Sequence, residues 1–180
     1  METGNKCCFT GYRPNKFRFA LEADTKDSID FDNALFETLL YLTANGVNTF
    51  YCGMAMGFDI IAAETVLYIK DIKPELDIKL ICAVPFINQS SSFSPSWKSR
   101  YDNVLAAADK TVLVSDVYYK GCYFARNKYM VDSSDIVLTY FDGKPGGTKN
   151  TLDYAEKIGR KIINLAEPSP LRGRGPACGG

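Results

Sequence analysis

Three segments of the chain combine glycine with small or hydroxyl-bearing residues, a composition that suits the binding of phosphate groups. They lie at residues 10–11, 53–57 and 146–148, and each comes just after a short apolar run. A glycine turn that opens a helix offers backbone amide donors and the positive end of the helix dipole, which both favour an anion. Arg126 lies shortly before the third segment and adds a guanidinium that can bind a phosphate through two hydrogen bonds. The sequence therefore predicts a phosphate site.

A second arginine, Arg13, follows the first glycine segment and is a further candidate, although an exposed turn arginine is an equally good interpretation. One glycine turn alone is weak evidence, because glycines occur at most junctions between strands and helices. The prediction depends on the three turns lying together. No turn matches the dinucleotide pattern G-x-G-x-x-G, and no P-loop lysine follows, which disfavours a standard NAD or ATP site. The candidate phosphate ligands are Thr10, Gly11, Arg13, Gly53, Met54, Gly57, Arg126, Gly146, Gly147 and Thr148.

Two carboxylates, Asp59 and Glu64, follow the second glycine segment in a predicted helix. Five residues apart, they are separated by about 140° around a helix and so do not form one catalytic pair. Glu64 lies in an apolar context and is a candidate for pointing into a crevice, with a carboxylate on the helix surface as the alternative. Trp97, Arg100 and Tyr101 could stack on a base, or the two aromatic residues could belong to the core.

The chain contains no histidine and six cysteines, none of them in a C-x-x-C pair. A zinc site is therefore not expected, and a Ser-His or Cys-His nucleophile is excluded. Cys7, Cys8, Cys52 and Cys82 lie in apolar runs, where we expect them to be small buried thiols. We expect neither a metal nor a cofactor.

Apolar runs alternate with helical patterns along nearly the whole chain, and these runs show no polar alternation. Such strands are buried on both faces, which indicates a parallel sheet covered by helices. About six strands are too few for a closed barrel. We therefore predict one Rossmann-like, doubly wound α/β domain over residues 1–167, with its ligand crevice beyond the carboxyl ends of the strands. Residues 168–180, rich in proline, glycine and arginine, are expected to form a disordered tail.

Lysine plus arginine and aspartate plus glutamate number 21 each, so the net charge favours neither nucleic acid nor an anionic membrane. We expect a nucleotide-like small molecule as the partner and a homo-oligomer as the assembly, with nucleic acid and membrane disfavoured. No apolar run is long enough to span a membrane and the first residues lack a basic region, so we expect a cytoplasmic location.

Several blocks resemble the YpsA-like branch of the SLOG superfamily, in the same order along the chain. Residues 7–14 are similar to its CCFTGHRP opening, and residues 53–64 to its GMA-x-G-x-D…AAE segment. Arg100-Tyr101, residues 126–132 and residues 146–155 match its later blocks. The likeness extends from about Lys6 to Leu165.

The resemblance implies a Rossmann-like domain related to DprA and to the LOG phosphoribohydrolases, and binding of nucleotides or ADP-ribose-like signals. Arg126 falls where the LOG arginine does, and residues 145–147 where its PGG turn does. Two departures matter: Tyr12 replaces the usual histidine, and Asp153 follows the turn one residue later than the LOG catalytic glutamate. We therefore expect a sensor or sequestering protein. Two alternatives stay open: a phosphoribohydrolase that uses Arg126 with Asp153 or Glu64, and an interaction protein with a vestigial pocket.

Overall fold

Six parallel strands form one sheet in the computed structural model, which describes residues 5–168. The strands occur in the order β4-β3-β2-β1-β5-β6, so the sheet grows in one direction from β1 to β4 and in the other from β5 to β6. The topological switch point lies between β1 and β5, where ligands bind in folds of this kind. The strand bounds are β1 Asn5–Gly11, β2 Val47–Cys52, β3 Lys79–Val84, β4 Lys110–Leu113, β5 Ile136–Tyr140 and β6 Lys161–Asn164.

Five α-helices connect the strands and cover both faces of the sheet. The first three helices pack on one another on one face, and α4 packs on α5 on the other. This arrangement confirms the predicted doubly wound fold. Within residues 5–168, no helix combines the length and the apolarity needed to cross a membrane. The helix bounds are α1 Lys26–Ala44, α2 Phe58–Ile72, α3 Pro95–Ala107, α4 Cys122–Asp132 and α5 Gly147–Lys157.

Successive residues of β1 point to opposite faces and contribute to two separate cores. Cys7 and Phe9 pack with α1, α2 and α3, whereas Cys8 packs with α4 and α5. Every side chain in the middle of this strand is buried, which explains the uninterrupted apolar run in the sequence. Cys7, Cys8, Cys52 and Cys82 are free and buried, as predicted.

Two local features complete the fold. Helix α1 begins after Thr25, whose side chain forms a reciprocal capping box with that of Ser28. The serine-rich stretch at residues 86–95 contains a 3-10 turn at Gln89–Ser92. Gln89 is buried there because its side-chain amide donates to the carbonyl oxygens of Gly53 and Met54, each at 3.2 Å. Of the predicted tail, residues 169–180 lie outside the described residues.

The end of β1 approaches α2 so closely that Gly11 has no room for a side chain. A Cβ atom at this position would overlap the ring and the Cβ atom of Phe58, which is itself fully buried. We predict that Gly11→Ala lowers the free energy of unfolding by roughly 1–3 kcal/mol, the usual cost of overpacking a core. Urea denaturation measures this change.

Gly147→Ala is the matched control, since the residue begins α5 and, apart from its chain neighbours and the backbone of its own helix, no atom of residues 5–168 would lie within 4 Å of a Cβ atom there. We expect this variant to lie within about 0.5 kcal/mol of wild type or to be slightly more stable. Equal stability of the two variants would show that the contact with Phe58 does not restrict Gly11.

Candidate functional site

The three glycine turns lie at the carboxyl end of the sheet, the side on which all six parallel strands end. The first consists of the last two residues of β1, and the other two follow β2 and β5, which are the neighbours of β1 in the sheet. The first and third turns flank the switch point, and Thr148 Oγ1 of the third donates to the carbonyl oxygen of Gly11 at 3.0 Å. The structure thus brings together the three glycine segments for which the sequence predicted a shared phosphate site. Their role as ligands stays a prediction.

Arg126 lies in α4 and is almost wholly buried, with 4% of its surface exposed. Its guanidinium donates from Nη1 to the carbonyl oxygen of Gly53 and from Nε to Oδ1 of Asn127 at 2.6 Å. Burial lowers the pKa of Arg126, and the charge of Asp59 opposes that change. A Cβ atom on Gly53 would lie 2.6 Å from Nη1, so only glycine lets the guanidinium approach this closely. Arg126 therefore holds the turn after β2 in addition to any role toward an anion.

Asp59, in the first turn of α2, is the carboxylate beside this arginine and is also buried, with 4% exposed. Its Oδ2 accepts a hydrogen bond from the backbone amide of Ala55 at 3.5 Å. Burial raises the pKa of Asp59 to about 6, although the charges of Arg126 and Arg13 act to lower it. The prediction from the sequence did not include Asp59 among the candidate ligands. Its place in the GMA-x-G-x-D block is the feature of the sequence that could have indicated it.

Arg13 approaches the same group from the turn after β1 and is exposed. Its guanidinium carbon lies 5.9 Å from the centre of the Tyr123 ring, and that of Arg126 lies 5.8 Å from it. The positive charge of Arg13 contributes to the lowered pKa of Arg126, which shows that the two cations interact. We refer to Arg13, Asp59, Tyr123 and Arg126 as the arginine cluster.

A chain of hydrogen bonds connects the arginine cluster to the turn that opens α5. Asn127 accepts from Arg126 and donates from Nδ2 to Thr151 Oγ1 at 2.8 Å. Thr151 then donates to the carbonyl oxygen of Gly147 at 2.9 Å. Helix α5 begins after Gly146, whose φ of 143° favours glycine, and no side chain caps its first amides. Backbone amides at the start of a helix are hydrogen-bond donors that commonly bind anions.

Tyr12, which stands where the resembling family has a histidine, holds the connection between β5 and α5. Its hydroxyl donates to Oδ1 of Asp142 at 2.8 Å and accepts from the amide of Lys144 at 2.9 Å. Burial and the hydrogen bond to Asp142 raise the pKa of Tyr12, so the phenol stays protonated. The side chain is 1% exposed and therefore acts as an internal support.

Three other predicted ligands have packing roles at the same end of the sheet. Thr10 and Met54 have buried side chains, so any contact with a ligand would come from their backbone. Met54 has a φ of 61°, and its carbonyl oxygen accepts from Gln89. Gly57 has a φ of 91°, and a Cβ atom there would lie 2.5 Å from the carbonyl oxygen of Tyr12.

The two carboxylates proposed for catalysis are bound in ion pairs outside the arginine cluster. Glu64 accepts two hydrogen bonds from Arg100, one of them from Nε at 2.8 Å. Asp153 pairs with Lys149 through both of its oxygens, at 2.8 and 2.6 Å. Trp97 lies 4.2 Å from the Arg100 guanidinium carbon and is buried, as is Tyr101. The two aromatic residues thus belong to the core rather than to a stacking surface.

Comparisons of the sequence identify a family. A protein-family model described as the YspA SLOG family matches residues 7–163. A UPF0398 protein of Halalkalibacterium halodurans is 28% identical over 152 residues, which cover 82% of this chain and 78% of that relative. The SPbeta prophage-derived protein YoqJ of Bacillus subtilis is 31% identical over 138 residues, covering 69% of this chain and 80% of the relative.

Comparisons of the structure identify DNA processing protein A, DprA, as a neighbour in fold. The Helicobacter pylori protein, whose structure was described for its single-stranded DNA binding mode, superposes with a TM-score of 0.60 at 19% identity. The Streptococcus pneumoniae protein gives 0.59 at 15% identity. The superpositions cover 91% of this chain but only 66% and 50% of those chains. At these identities the likeness shows the fold alone.

The pKa of Asp59 predicts a pH-dependent stability. Because the folded value of about 6 exceeds the ordinary 3.8, the native state keeps a proton that the unfolded chain has already lost. The resulting stabilisation is complete below about pH 4 and is lost as the pH rises through 6. Two pH units correspond to roughly 3 kcal/mol. Between pH 4 and 7, we expect wild type to lose about that much stability relative to Asp59→Asn, measured by urea unfolding.

Asp153→Asn is the control, because it removes one carboxylate from an exposed ion pair with Lys149. That variant should keep the pH dependence of wild type. If Asp59→Asn and wild type have parallel curves of stability against pH, the proton is not held by Asp59.

Proposed function

This chain belongs to the YspA SLOG family, and from that premise we propose that it binds a nucleotide or a nucleotide-derived signal at the carboxyl end of its sheet. The ligand class comprises nucleoside monophosphates and ADP-ribose-like compounds. The protein would act by sensing or sequestering such a molecule. Family membership and the Rossmann-like fold support a nucleotide-related role in general, and the ligand itself is the part that we propose.

The observation that carries this proposal is the convergence of two arginines on one aromatic ring, that of Tyr123, beside the turn after β2. Arg126 is buried and held in place by Gly53 and Asn127, so its charge is fixed in position. Arg13 is exposed, with its guanidinium carbon 5.9 Å from the centre of the same ring, and can approach an incoming anion. A guanidinium together with uncapped helix amides can bind a phosphate without a metal ion.

The turn that opens α5 adds positive charge to the same end of the sheet. Lys16 donates from Nζ to the carbonyl oxygen of Pro145 at 3.0 Å, which places its ammonium beside the start of the helix. Lys144 lies in this turn too, with its Nζ 5.7 Å from the centre of the Tyr12 ring. The protein has no net charge. Its attraction for an anion would therefore be local, arising from these side chains and from the helix dipole.

N-glycosidic cleavage is the second candidate function, and one observation favours it. Such a reaction needs a carboxylate beside the sugar, and the cluster contains a buried carboxylate whose pKa is raised to about 6. Asp59 would then take the role that we first considered for Glu64 and Asp153. Release of free base from AMP by wild type, and its loss in Asp59→Asn, would support this function. A preparation that binds AMP without turnover would contradict it.

Nucleic acid was not expected as a partner, and that expectation stays a prediction. The H. pylori neighbour in fold is known by its single-stranded DNA binding mode, so a short oligonucleotide is included among the probes. The expected homo-oligomer likewise stays a prediction, to be measured by light scattering.

We predict that Arg13→Ala weakens the binding of AMP or ADP-ribose by about 10- to 100-fold, measured by titration calorimetry. This range corresponds to the loss of one hydrogen bond to a charged group, worth roughly 1.5–3 kcal/mol. Because Arg13 is exposed, the variant should keep the wild-type melting temperature without ligand, to within a few degrees.

Lys98→Ala is the matched control, since it removes one positive charge from the surface of α3, where Lys98 pairs with Asp102. It should bind as wild type does. The proposal fails if wild type is neither stabilised nor titrated by adenine nucleotides, ADP-ribose or cyclic nucleotides at millimolar concentration.

A further inference from the structure

Two further aromatic side chains, those of Phe86 and Tyr118, contact Tyr123 of the arginine cluster. Phe86 follows β3, Tyr118 lies between β4 and α4, and Tyr123 is in the first turn of α4. Their ring centres are 5.5 Å apart for Phe86 and Tyr118, 5.8 Å for Phe86 and Tyr123, and 6.4 Å for Tyr118 and Tyr123. We refer to these three residues as the aromatic patch.

The aromatic patch is partly exposed: Phe86 and Tyr123 are half-buried, and Tyr118 supplies the exposed ring. Tyr118 is 61% exposed, and its neighbours Val117 and Tyr119 are 69% and 44% exposed. By contrast, the aromatic rings of Tyr12, Phe17 and Tyr140 pack on one another in the core. Val117, Tyr118 and Tyr119 thus form a contiguous exposed group, and such a group on a protein surface commonly marks a binding site.

Tyr123 belongs to both the arginine cluster and the aromatic patch, and the two groups meet at its ring. Its ring contacts Phe86 and Tyr118 and is also flanked by the guanidinium groups of Arg13 and Arg126. A molecule bound here would therefore meet aromatic faces directly beside cationic groups. Nucleotides have matching parts, a flat base that stacks on aromatic rings and a phosphate that pairs with arginine.

We propose that the aromatic patch is the base subsite of the ligand whose phosphate is held near Arg13, an inference that rests on the proposed function. The base would stack on the exposed ring of Tyr118, with Phe86 and Tyr123 supporting that ring from behind. Charge complementarity favours a nucleotide over an apolar protein segment as the occupant, because the cations of the arginine cluster border the patch. Stacking accepts any base, so the subsite selects for the presence of a base rather than for its identity.

The test compares AMP with ribose 5-phosphate, which has the same sugar phosphate but lacks the base. By titration calorimetry, wild type should bind AMP about 10-fold or more tightly than ribose 5-phosphate. Tyr118→Ala should remove most of that difference by weakening AMP alone, since stacking on one aromatic side chain contributes roughly a 5- to 150-fold gain in affinity. Tyr118→Phe keeps the ring and should bind AMP as wild type does.

Tyr68→Ala is the matched control, because Tyr68 is 57% exposed on α2 and packs against a single ring, that of Phe36. It should leave both affinities unchanged. Equal binding of AMP and ribose 5-phosphate by wild type overturns the base subsite but leaves the phosphate site intact. Equal loss of AMP binding in Tyr118→Ala and Tyr68→Ala also overturns it.

Two further outcomes distinguish a failure of the base subsite from a failure of the proposed function. If neither AMP, ADP-ribose nor ribose 5-phosphate binds wild type, the proposed function itself fails. If a short single-stranded oligonucleotide binds in a Tyr118-dependent way while AMP does not bind, the assignment to the base of a single nucleotide is overturned.

Discussion

The arrangement of the site depends on the burial of one charged group, the Arg126 guanidinium. A buried charge without partners costs several kcal/mol, so the protein must supply acceptors and a counter-charge around it. The carbonyl oxygen of Gly53 and the side chain of Asn127 accept its hydrogen bonds, and Asp59 is the nearby acid. These partners come from the turn after β2, from α4 and from α2. Satisfying Arg126 therefore fixes the positions of three elements at the carboxyl end of the sheet.

This constraint extends to the switch point through side chains that bind backbone groups. Asn127 and Thr151 connect Arg126 to the start of α5, and Thr148 connects that start to the end of β1. Tyr12 holds the connection after β5 through its hydroxyl, which donates one hydrogen bond to Asp142 and accepts two from the backbone amides of Asp142 and Lys144. The turns at the carboxyl end of the sheet are thus joined to one another, which fixes the orientation of their backbone amides. Preorganised donors bind an anion at a smaller cost in entropy than mobile ones do.

The fold could be predicted from the sequence because its signals are local. Uninterrupted apolar runs between helical patterns indicate buried parallel strands, and the topology then brings the glycine turns to one end of the sheet. The burial and the hydrogen-bond partners of individual side chains could not be predicted in the same way. Whether Arg126 faces solvent or a carbonyl oxygen depends on where α4 packs, which is a tertiary property. The structural role of Gln89 was hidden in a serine-rich segment for the same reason, since its partners lie in the turn after β2.

The distribution of carboxylates is the reason that we propose binding rather than catalysis as the function of this arrangement. A general acid or base must reach the reacting atoms, yet Glu64 and Asp153 are each committed to an ion pair. The raised pKa of Asp59 would suit proton transfer. However, its side chain is only 4% exposed, and its Oδ2 atom lies 2.8 Å from the position that a Cβ atom on Gly53 would occupy. From that position its main physical effect is on Arg126, whose charge it partly offsets when ionised. The exposed charge at the site then belongs to Arg13, beside Tyr123 and the aromatic patch. A cation next to a group of aromatic rings can hold a phosphate and a base without taking part in any bond-breaking step.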